Sequence, residues 1–224
     1  FAVFKFPKQK INFSVPTGNF GDVYAGYVAK KMGLPIDKLI VATNENDILQ
    51  RVINTGEYKP TQVKTSLSPS MDIQVASNFE RLLYDILGSD DKKVISLMND
   101  LKKKGSFKLS NDEIEIIKKD FLAEKISDNE TLNIIKDVES KYNFVLDPHT
   151  ATAVVACQKT KGCSETVILG TAHPYKFQET IRLATGKEIN QPSHLLNALD
   201  KQEKYDILQN KVFEIKNYIL EKVK

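Results

Sequence analysis

The sequence is poor in the residues from which disulfide frameworks and metal sites are built. It has 224 residues but only two cysteines, Cys157 and Cys163, together with three histidines and no tryptophan. So few cysteines exclude a disulfide framework, and neither they nor the histidines have the spacing of a zinc site. We therefore expect reduced thiols, a cytoplasmic protein and no bound metal.

Long apolar runs and clustered arginines are also missing. No run approaches the roughly 20 apolar residues that a membrane-spanning helix needs, and no signal peptide is visible. The net charge is only +3, and the only arginines are Arg51, Arg81 and Arg182. No tract combines clustered basic residues with interleaved aromatics, as a nucleic-acid surface would. We therefore expect neither a membrane nor a nucleic acid as a partner.

What the sequence does contain is a glycine-rich turn between a strand and a helix. The pattern predicts a strand over 11–15 and a helix over about 22–32, with Gly18-Asn19-Phe20-Gly21 between them. Such a turn leaves backbone N–H groups unpaired at the positive end of the helix dipole, where a phosphate binds well. The turn has neither dinucleotide GxGxxG spacing nor a Walker Lys-Ser/Thr. A phosphate monoester is the predicted ligand, although Asn19 could instead serve only a left-handed backbone conformation.

The rest of the chain predicts an α/β fold. Residues 11–42 read as β-α-β, which implies parallel strands with ligands at their C-terminal ends. Asn44 is predicted to cap the next helix. Residues 79–144 are mostly helical, and their predicted start signals are three capping boxes: Ser77 with Glu80, Ser110 with Glu113, and Ser127 with Glu130. The α/β pattern resumes at Asp147-Pro148, predicted as the N-cap and first residue of a helix.

These patterns divide the chain into four segments. Residues 1–78 are predicted to form the first part of a parallel-sheet domain, 79–146 a mostly helical insertion, 147–190 the return to the sheet domain, and 191–224 a helical tail. A second buried strand, Thr166 to Leu169, runs into Gly170-Thr171-Ala172. By pattern alone Thr171 is a helix cap, and His149 is an ordinary polar residue in a first helical turn.

Five segments, taken together and in order, resemble threonine synthase, a pyridoxal-phosphate enzyme of fold type II with a tryptophan synthase β-like sheet domain. The matching segments are Pro16 to Asp22, Ala42 to Asn44 with Asp47, Met71 to Ile73 with Ser77 to Arg81, Asp147 to Ala151, and Leu169 to Pro174 with Lys176-Phe177. They span residues 1 to about 183. The helical insertion is similar to that of the longer, bacterial and fungal kind of threonine synthase.

The resemblance implies a cofactor and a reaction. Backbone amides around Gly18, Asn19, Phe20 and Gly21 would hold the 5′-phosphate of pyridoxal phosphate, and Thr171 would bind its ring nitrogen. A hydroxyl at that nitrogen would leave it largely unprotonated, which suits elimination and replacement chemistry. The implied reaction converts O-phospho-L-homoserine and water into L-threonine and phosphate, the last step of threonine biosynthesis.

One departure from the family pattern limits this expectation. The family's Schiff-base lysine lies in a phenylalanine–lysine–aspartate context that is absent from this sequence, so no catalytic residue is assigned here. We expect a C-terminal fragment that is inactive without the missing N-terminal part of its own polypeptide. Two alternatives remain: a threonine-synthase-like phospholyase, and a non-catalytic homologue serving as an interaction module.

Overall fold

Four parallel strands form the central sheet of the computed structural model, which describes residues 10–160, 165–193 and 201–223. The sheet order is β5-β2-β1-β6, and β3 and β4 form a separate antiparallel pair. The strands are β1 (Ile11–Pro16), β2 (Ile36–Thr43), β3 (Glu57–Tyr58), β4 (Phe107–Lys108), β5 (Phe121–Lys125) and β6 (Thr166–Ile168). The predicted α/β class with a parallel sheet is confirmed.

Helices connect these strands and cover both faces of the sheet. They are α1 (Gly21–Lys31), α2 (Ile48–Thr55), α3 (Phe79–Ile86), α4 (Asp91–Lys104), α5 (Asn111–Asp120), α6 (Asp128–Tyr142), α7 (Pro148–Lys159) and α8 (Gln178–Thr185), with short 3-10 helices at Pro69–Met71 and Pro174–Phe177. A further helix, α9 (Val212–Lys222), follows in the last part of the chain. The capping boxes predicted at Ser110 and Ser127 are both formed, and Asp147 caps α7 with Pro148 as its first residue. These local start signals were therefore read correctly.

The central strand β2 is almost continuously apolar because both of its faces are buried. Leu39 and Val41 pack into one hydrophobic cluster, while Ile40 and Ala42 pack into another. Successive side chains of a strand point to opposite faces of the sheet. A strand with helices on both faces therefore needs apolar residues at both parities.

Residues 79–146 contribute a strand to the main sheet as well as four helices. β5 pairs in parallel with β2, with Ala123 opposite Val41. The sequence pattern of this region indicates almost nothing of the strand, because β5 lies at the edge of the sheet and carries polar residues such as Glu124 and Lys125. The predicted segment boundaries at residues 78/79 and 146/147 stay predictions.

Contacts along the chain separate two compact units, Phe1–Ile189 and Asn190–Lys224. In the second unit α9 begins at Val212 and ends at Lys222. Cys163 and one of the three histidines, His194, fall outside the described residues. Within the described ranges, no helix is long and apolar enough to cross a membrane.

Candidate functional site

The glycine-rich turn joins the C-terminal end of β1 to the start of α1. Thr17 still belongs to the sheet hydrogen-bonding, because its N–H donates to the carbonyl of Ala42 at 2.8 Å. The next three amides, those of Gly18, Asn19 and Phe20, donate to no acceptor in the part of the chain that the structure describes. The first amides of a helix also lack partners within it. The three residues that carry these amides line a cavity of about 230 Å³.

Phe20 is the residue that gives the turn its shape. Its φ is 66°, in the left-handed region, whereas Asn19 has no positive φ. Its ring is completely buried, with its centroid 5.3 Å from that of Phe79 and 5.5 Å from that of Phe121. A left-handed backbone is strained for a bulky residue. The buried contacts of the Phe20 ring stabilise this conformation. The alternative role suggested for Asn19, as the left-handed residue, is therefore wrong.

Asn19 instead binds the turn to the segment that directly precedes α3. Its Oδ1 accepts hydrogen bonds from the N–H of Ser77 at 2.5 Å and from the Ser77 hydroxyl at 3.0 Å. Its carbonyl accepts from Nδ2 of Asn78 at 3.0 Å. The Ser77 N–H, which would donate to Glu80 in the predicted capping box, donates to Asn19 instead. The box is not formed, and α3 starts after Asn78 without a side-chain cap.

Gly18 is packed against backbone. A Cβ atom on this residue would lie 2.9 Å from the carbonyl oxygen of Ser70 and 3.1 Å from Cα of Met71. A larger residue therefore cannot occupy position 18 without moving the main chain. The turn is held at Gly18 by close packing and at Asn19 by hydrogen bonds.

A second cavity, of about 240 Å³, connects this turn to the loop after β6. Its lining residues include Gly18, Ser70, His149, Thr171, Lys176 and Phe177. The N–H of Thr171 donates to Oγ1 of Thr150 at 3.3 Å. The Thr171 hydroxyl makes no hydrogen bond within the described ranges, so it is available to a ligand. The structure thus brings two predicted parts of the site, Gly18 and Thr171, to the walls of one cavity.

Asp147 and His149 form a buried pair, and His149 lines this cavity. His149 Nδ1 lies 3.1 Å from Oδ1 of Asp147, and the N–H of Ser70 donates to His149 Nε2 at 3.2 Å. Since Nε2 accepts, Nδ1 carries the proton and donates to the carboxylate. Burial by itself raises the pKa of Asp147, but hydrogen bonds from His149 and Thr150 outweigh it and hold the pKa below its usual range. His149, an ordinary polar residue by sequence pattern, is therefore a fixed part of the cavity wall.

Comparison with known proteins identifies the family. The model of the C-terminal region of threonine synthase matches residues 150–219. Threonine synthase from Pseudomonas aeruginosa is 40% identical over 216 residues, which cover 95% of this chain and 46% of that protein. Threonine synthase from Saccharomyces cerevisiae is 44% identical over 195 residues, covering 79% of this chain and 38% of that protein.

The chain belongs to the threonine synthase family. A crystal structure of pyridoxal-phosphate-bound threonine synthase from Brucella melitensis superposes with a TM-score of 0.85 at 44% identity, covering 95% of this chain and 46% of that one. The fold is accordingly the fold type II α/β fold predicted from the sequence. The chain spans about half the length of the curated relatives that it matches.

A buried polar cluster holds the loop that faces the turn. Nδ2 of Asn44 donates to Oδ1 of Asp72 at 2.7 Å and to the hydroxyls of Ser66 and Ser68 at 2.7 and 3.0 Å. Asn44 is therefore not the cap of α2, as its position suggested. Its side chain instead closes the loop 66–72 onto the end of β2. This loop supplies Ser70 and Met71 to the wall of the cavity that Thr171 also lines.

Lys176 is a residue of the site whose role the sequence pattern leaves open. It lines both the cavity shared by Gly18 and Thr171 and a neighbouring cavity of about 560 Å³, as does Phe177. The Phe177 ring lies 4.8 Å from the ring of His149, centroid to centroid. In the described part of the chain, no group of three or more metal-ligating side chains is arranged to hold an ion.

Proposed function

We propose that this chain is the C-terminal part of a cytoplasmic threonine synthase and holds both ends of pyridoxal phosphate. One observation carries the proposal: the residues with free backbone amides in the turn and Thr171, with its free hydroxyl, line two cavities that share Gly18 as a lining residue. Hydrogen-bond donors at a helix N-terminus suit a phosphate. A hydroxyl at the other end suits an unprotonated ring nitrogen.

The residues present fit this cofactor, and each has a definite task. Backbone amides of Gly18, Asn19, Phe20 and Gly21 would bind the 5′-phosphate, and Thr171 would donate its hydroxyl proton to the ring nitrogen. The buried ring of Phe20 and the hydrogen bonds of Asn19 fix the backbone that carries these amides. When bound, pyridoxal phosphate supplies an electron sink for the substrate.

The proposed substrate is O-phospho-L-homoserine. The γ-phosphate leaves and water adds at the β-carbon, which gives L-threonine and phosphate and makes the enzyme a carbon–oxygen lyase acting on a phosphate ester. The tied loop 66–72 and the wall formed by His149 and Phe177 limit the space beside the cofactor.

We further propose that the chain alone is inactive and needs the N-terminal part of the same polypeptide. No lysine here occupies the family's Schiff-base context, and Lys176, although at the cavity, does not match it. The covalent anchor and the substrate-binding serine, threonine and glycine residues would come from that other part. The chain would then supply half of the active site.

The test separates binding of the cofactor from its covalent capture. The chain is titrated with pyridoxine 5′-phosphate, which has the phosphate and ring nitrogen but no aldehyde, and binding is followed by the fluorescence of its ring. We expect saturable binding at one site. A parallel sample is mixed with pyridoxal phosphate and reduced with borohydride, and its mass is measured.

The fluorescence titration and the mass measurement each have an outcome that supports the proposal and one that contradicts it. Binding of pyridoxine 5′-phosphate without a specific reduced adduct supports the proposal, and absence of saturable binding contradicts it. A single stoichiometric adduct that disappears in Lys176→Ala would show that Lys176 is an anchor, and the claim of inactivity would then be wrong. Adducts scattered over several lysines, and unchanged in Lys176→Ala, are the result expected of surface amines.

A further inference from the structure

Asp147 makes more hydrogen bonds than the cap of a helix requires. Its Oδ1 accepts from the N–H of His149 at 2.9 Å and from the N–H of Thr150 at 3.3 Å, which is ordinary capping. Oδ1 also accepts from the ring of His149, and Oδ2 accepts from the hydroxyl of Thr150. The residue is 2% exposed. Two of these contacts go beyond the helix end.

The first of the two contacts leads to the phosphate end of the candidate site. The carboxylate fixes the His149 ring with Nε2 as an acceptor, and Nε2 holds the N–H of Ser70. The carbonyl of that same Ser70 is the atom packed against Gly18. A change in the orientation of His149 therefore moves the backbone against which the phosphate-binding turn rests.

The second contact leads to the opposite end. The Thr150 hydroxyl donates to Asp147, so its lone pairs are directed toward the N–H of Thr171, at 3.3 Å. This is the hydrogen bond by which the described structure orients the backbone of Thr171. Loss of the carboxylate would free the Thr150 hydroxyl to rotate and would loosen the loop after β6.

We infer that Asp147 is a positioning residue that sets the phosphate-binding and ring-nitrogen-binding ends of the site at the same time, through His149 and through Thr150. The inference deepens the proposed function and rests on it for the identity of the ligand. It does not require Asp147 to touch the cofactor. Two other helices of this chain are capped by serines, Ser110 and Ser127, so a carboxylate is not needed for capping alone.

The first test measures the network without any ligand, by hydrogen exchange of the Ser70 and Thr171 amides in the 15N-labelled chain. Asp147→Ser keeps a capping oxygen but loses both further contacts, so we expect exchange to accelerate by at least about tenfold at both amides. Thr150→Val should accelerate only Thr171, and His149→Phe only Ser70. Ser110→Ala, which removes a cap of similar strength far from the site, should change neither.

The pattern of exchange decides whether the role is positioning or merely structural. A simple loss of cap would speed exchange at the start of α7 and leave the two branches indistinguishable, which would overturn the inference. Unchanged exchange at Ser70 and Thr171 in Asp147→Ser would overturn it as well. If Asp147→Ser does not fold, the branch variants Thr150→Val and His149→Phe carry the same test.

The second test uses pyridoxine 5′-phosphate as the probe. We expect its Kd to rise about tenfold or more in Asp147→Ser, and by less in each branch variant, while Ser110→Ala matches the wild-type chain. If the wild-type chain does not bind the probe, the proposed function fails and the assigned role of Asp147 fails with it. If the wild-type chain binds and Asp147→Ser binds equally well, only the role of Asp147 is wrong.

Discussion

The two ends of the candidate site are built to different degrees of rigidity. At the phosphate end, the turn is fixed by the buried ring of Phe20, by Asn19 bound to Ser77, and by Gly18 packed on backbone. At the ring-nitrogen end, Thr171 is exposed and its backbone is oriented by one hydrogen bond to Thr150. One end is preformed, and the other depends on a single contact.

The difference follows from what each end has to recognise. A phosphate is bound by several amides that must converge, and an error in the backbone misdirects all of them. A ring nitrogen needs one donor, whose side chain can rotate into place. Changes to the turn should therefore act through backbone geometry and be large, while changes at Thr171 should equal the loss of one hydrogen bond.

Gly18→Ala should produce the largest effect. The added Cβ would meet the Ser70 carbonyl at 2.9 Å, and overpacking against main chain costs roughly 1–3 kcal/mol. We expect the Kd for pyridoxine 5′-phosphate, measured by ring fluorescence, to rise by about 50-fold. Gly21→Ala is the matched control: its Cβ would lie 3.4 Å from Nδ2 of Asn78, an amide that can shift. A comparable loss in both variants would contradict the steric argument.

Asn19→Ala should come second. It removes the oxygen that accepts two hydrogen bonds from Ser77, each worth about 1 kcal/mol. We expect a rise in Kd of about tenfold, with a small fall in the free energy of unfolding in urea. Ser77→Ala removes only the hydroxyl donor and should cost about twofold, so an equal effect of the two variants would show that the backbone contact is unimportant.

Thr171→Val should have a smaller effect than either, because it removes one donor and leaves the backbone in place. Loss of one neutral hydrogen bond costs about 0.5–1.5 kcal/mol, which corresponds to about fivefold in Kd. Thr171→Ser keeps the hydroxyl and should retain wild-type binding. Wild-type affinity in Thr171→Val, measured in the same titration, would remove this residue from the site.

The sequence predicted the parts of the site that depend on local signals. The turn between β1 and α1, the Asp147-Pro148 start of α7 and two of three capping boxes are contained within a few residues each, and they formed as expected. The third box failed because Ser77 bonds to Asn19, 58 residues earlier. A local pattern cannot show that a distant side chain accepts the Ser77 N–H that the box would give to Glu80.

The same reason explains why His149 and β5 were underestimated. His149 is part of the site because it accepts a hydrogen bond from Ser70, 79 residues away in sequence. β5 is a strand of the sheet because it pairs with β2. Both depend on the assembled sheet, which brings the ends of several strands to one edge. The resemblance to a family supplied the candidate role of Thr171, which its own pattern, that of a helix cap, does not indicate.

Asp22→Asn should produce the smallest effect, and in the opposite direction. Asp22 lies in the first turn of α1 and lines both cavities beside the phosphate-binding amides. Its carboxylate interacts favourably with the positive end of the helix dipole but repels a bound phosphate. Both interactions are weak at an exposed position. We expect the Kd for pyridoxine 5′-phosphate to fall by about two- to threefold at low ionic strength, and the gain to vanish in about 0.5 M salt because exposed charges are screened. Asp37→Asn makes the same change of charge near the opposite end of β2 and should leave the Kd unaltered at either ionic strength. A gain that persists in high salt would mean that the substitution acts on the shape of the turn, and the rigidity assigned to the phosphate end would be too high.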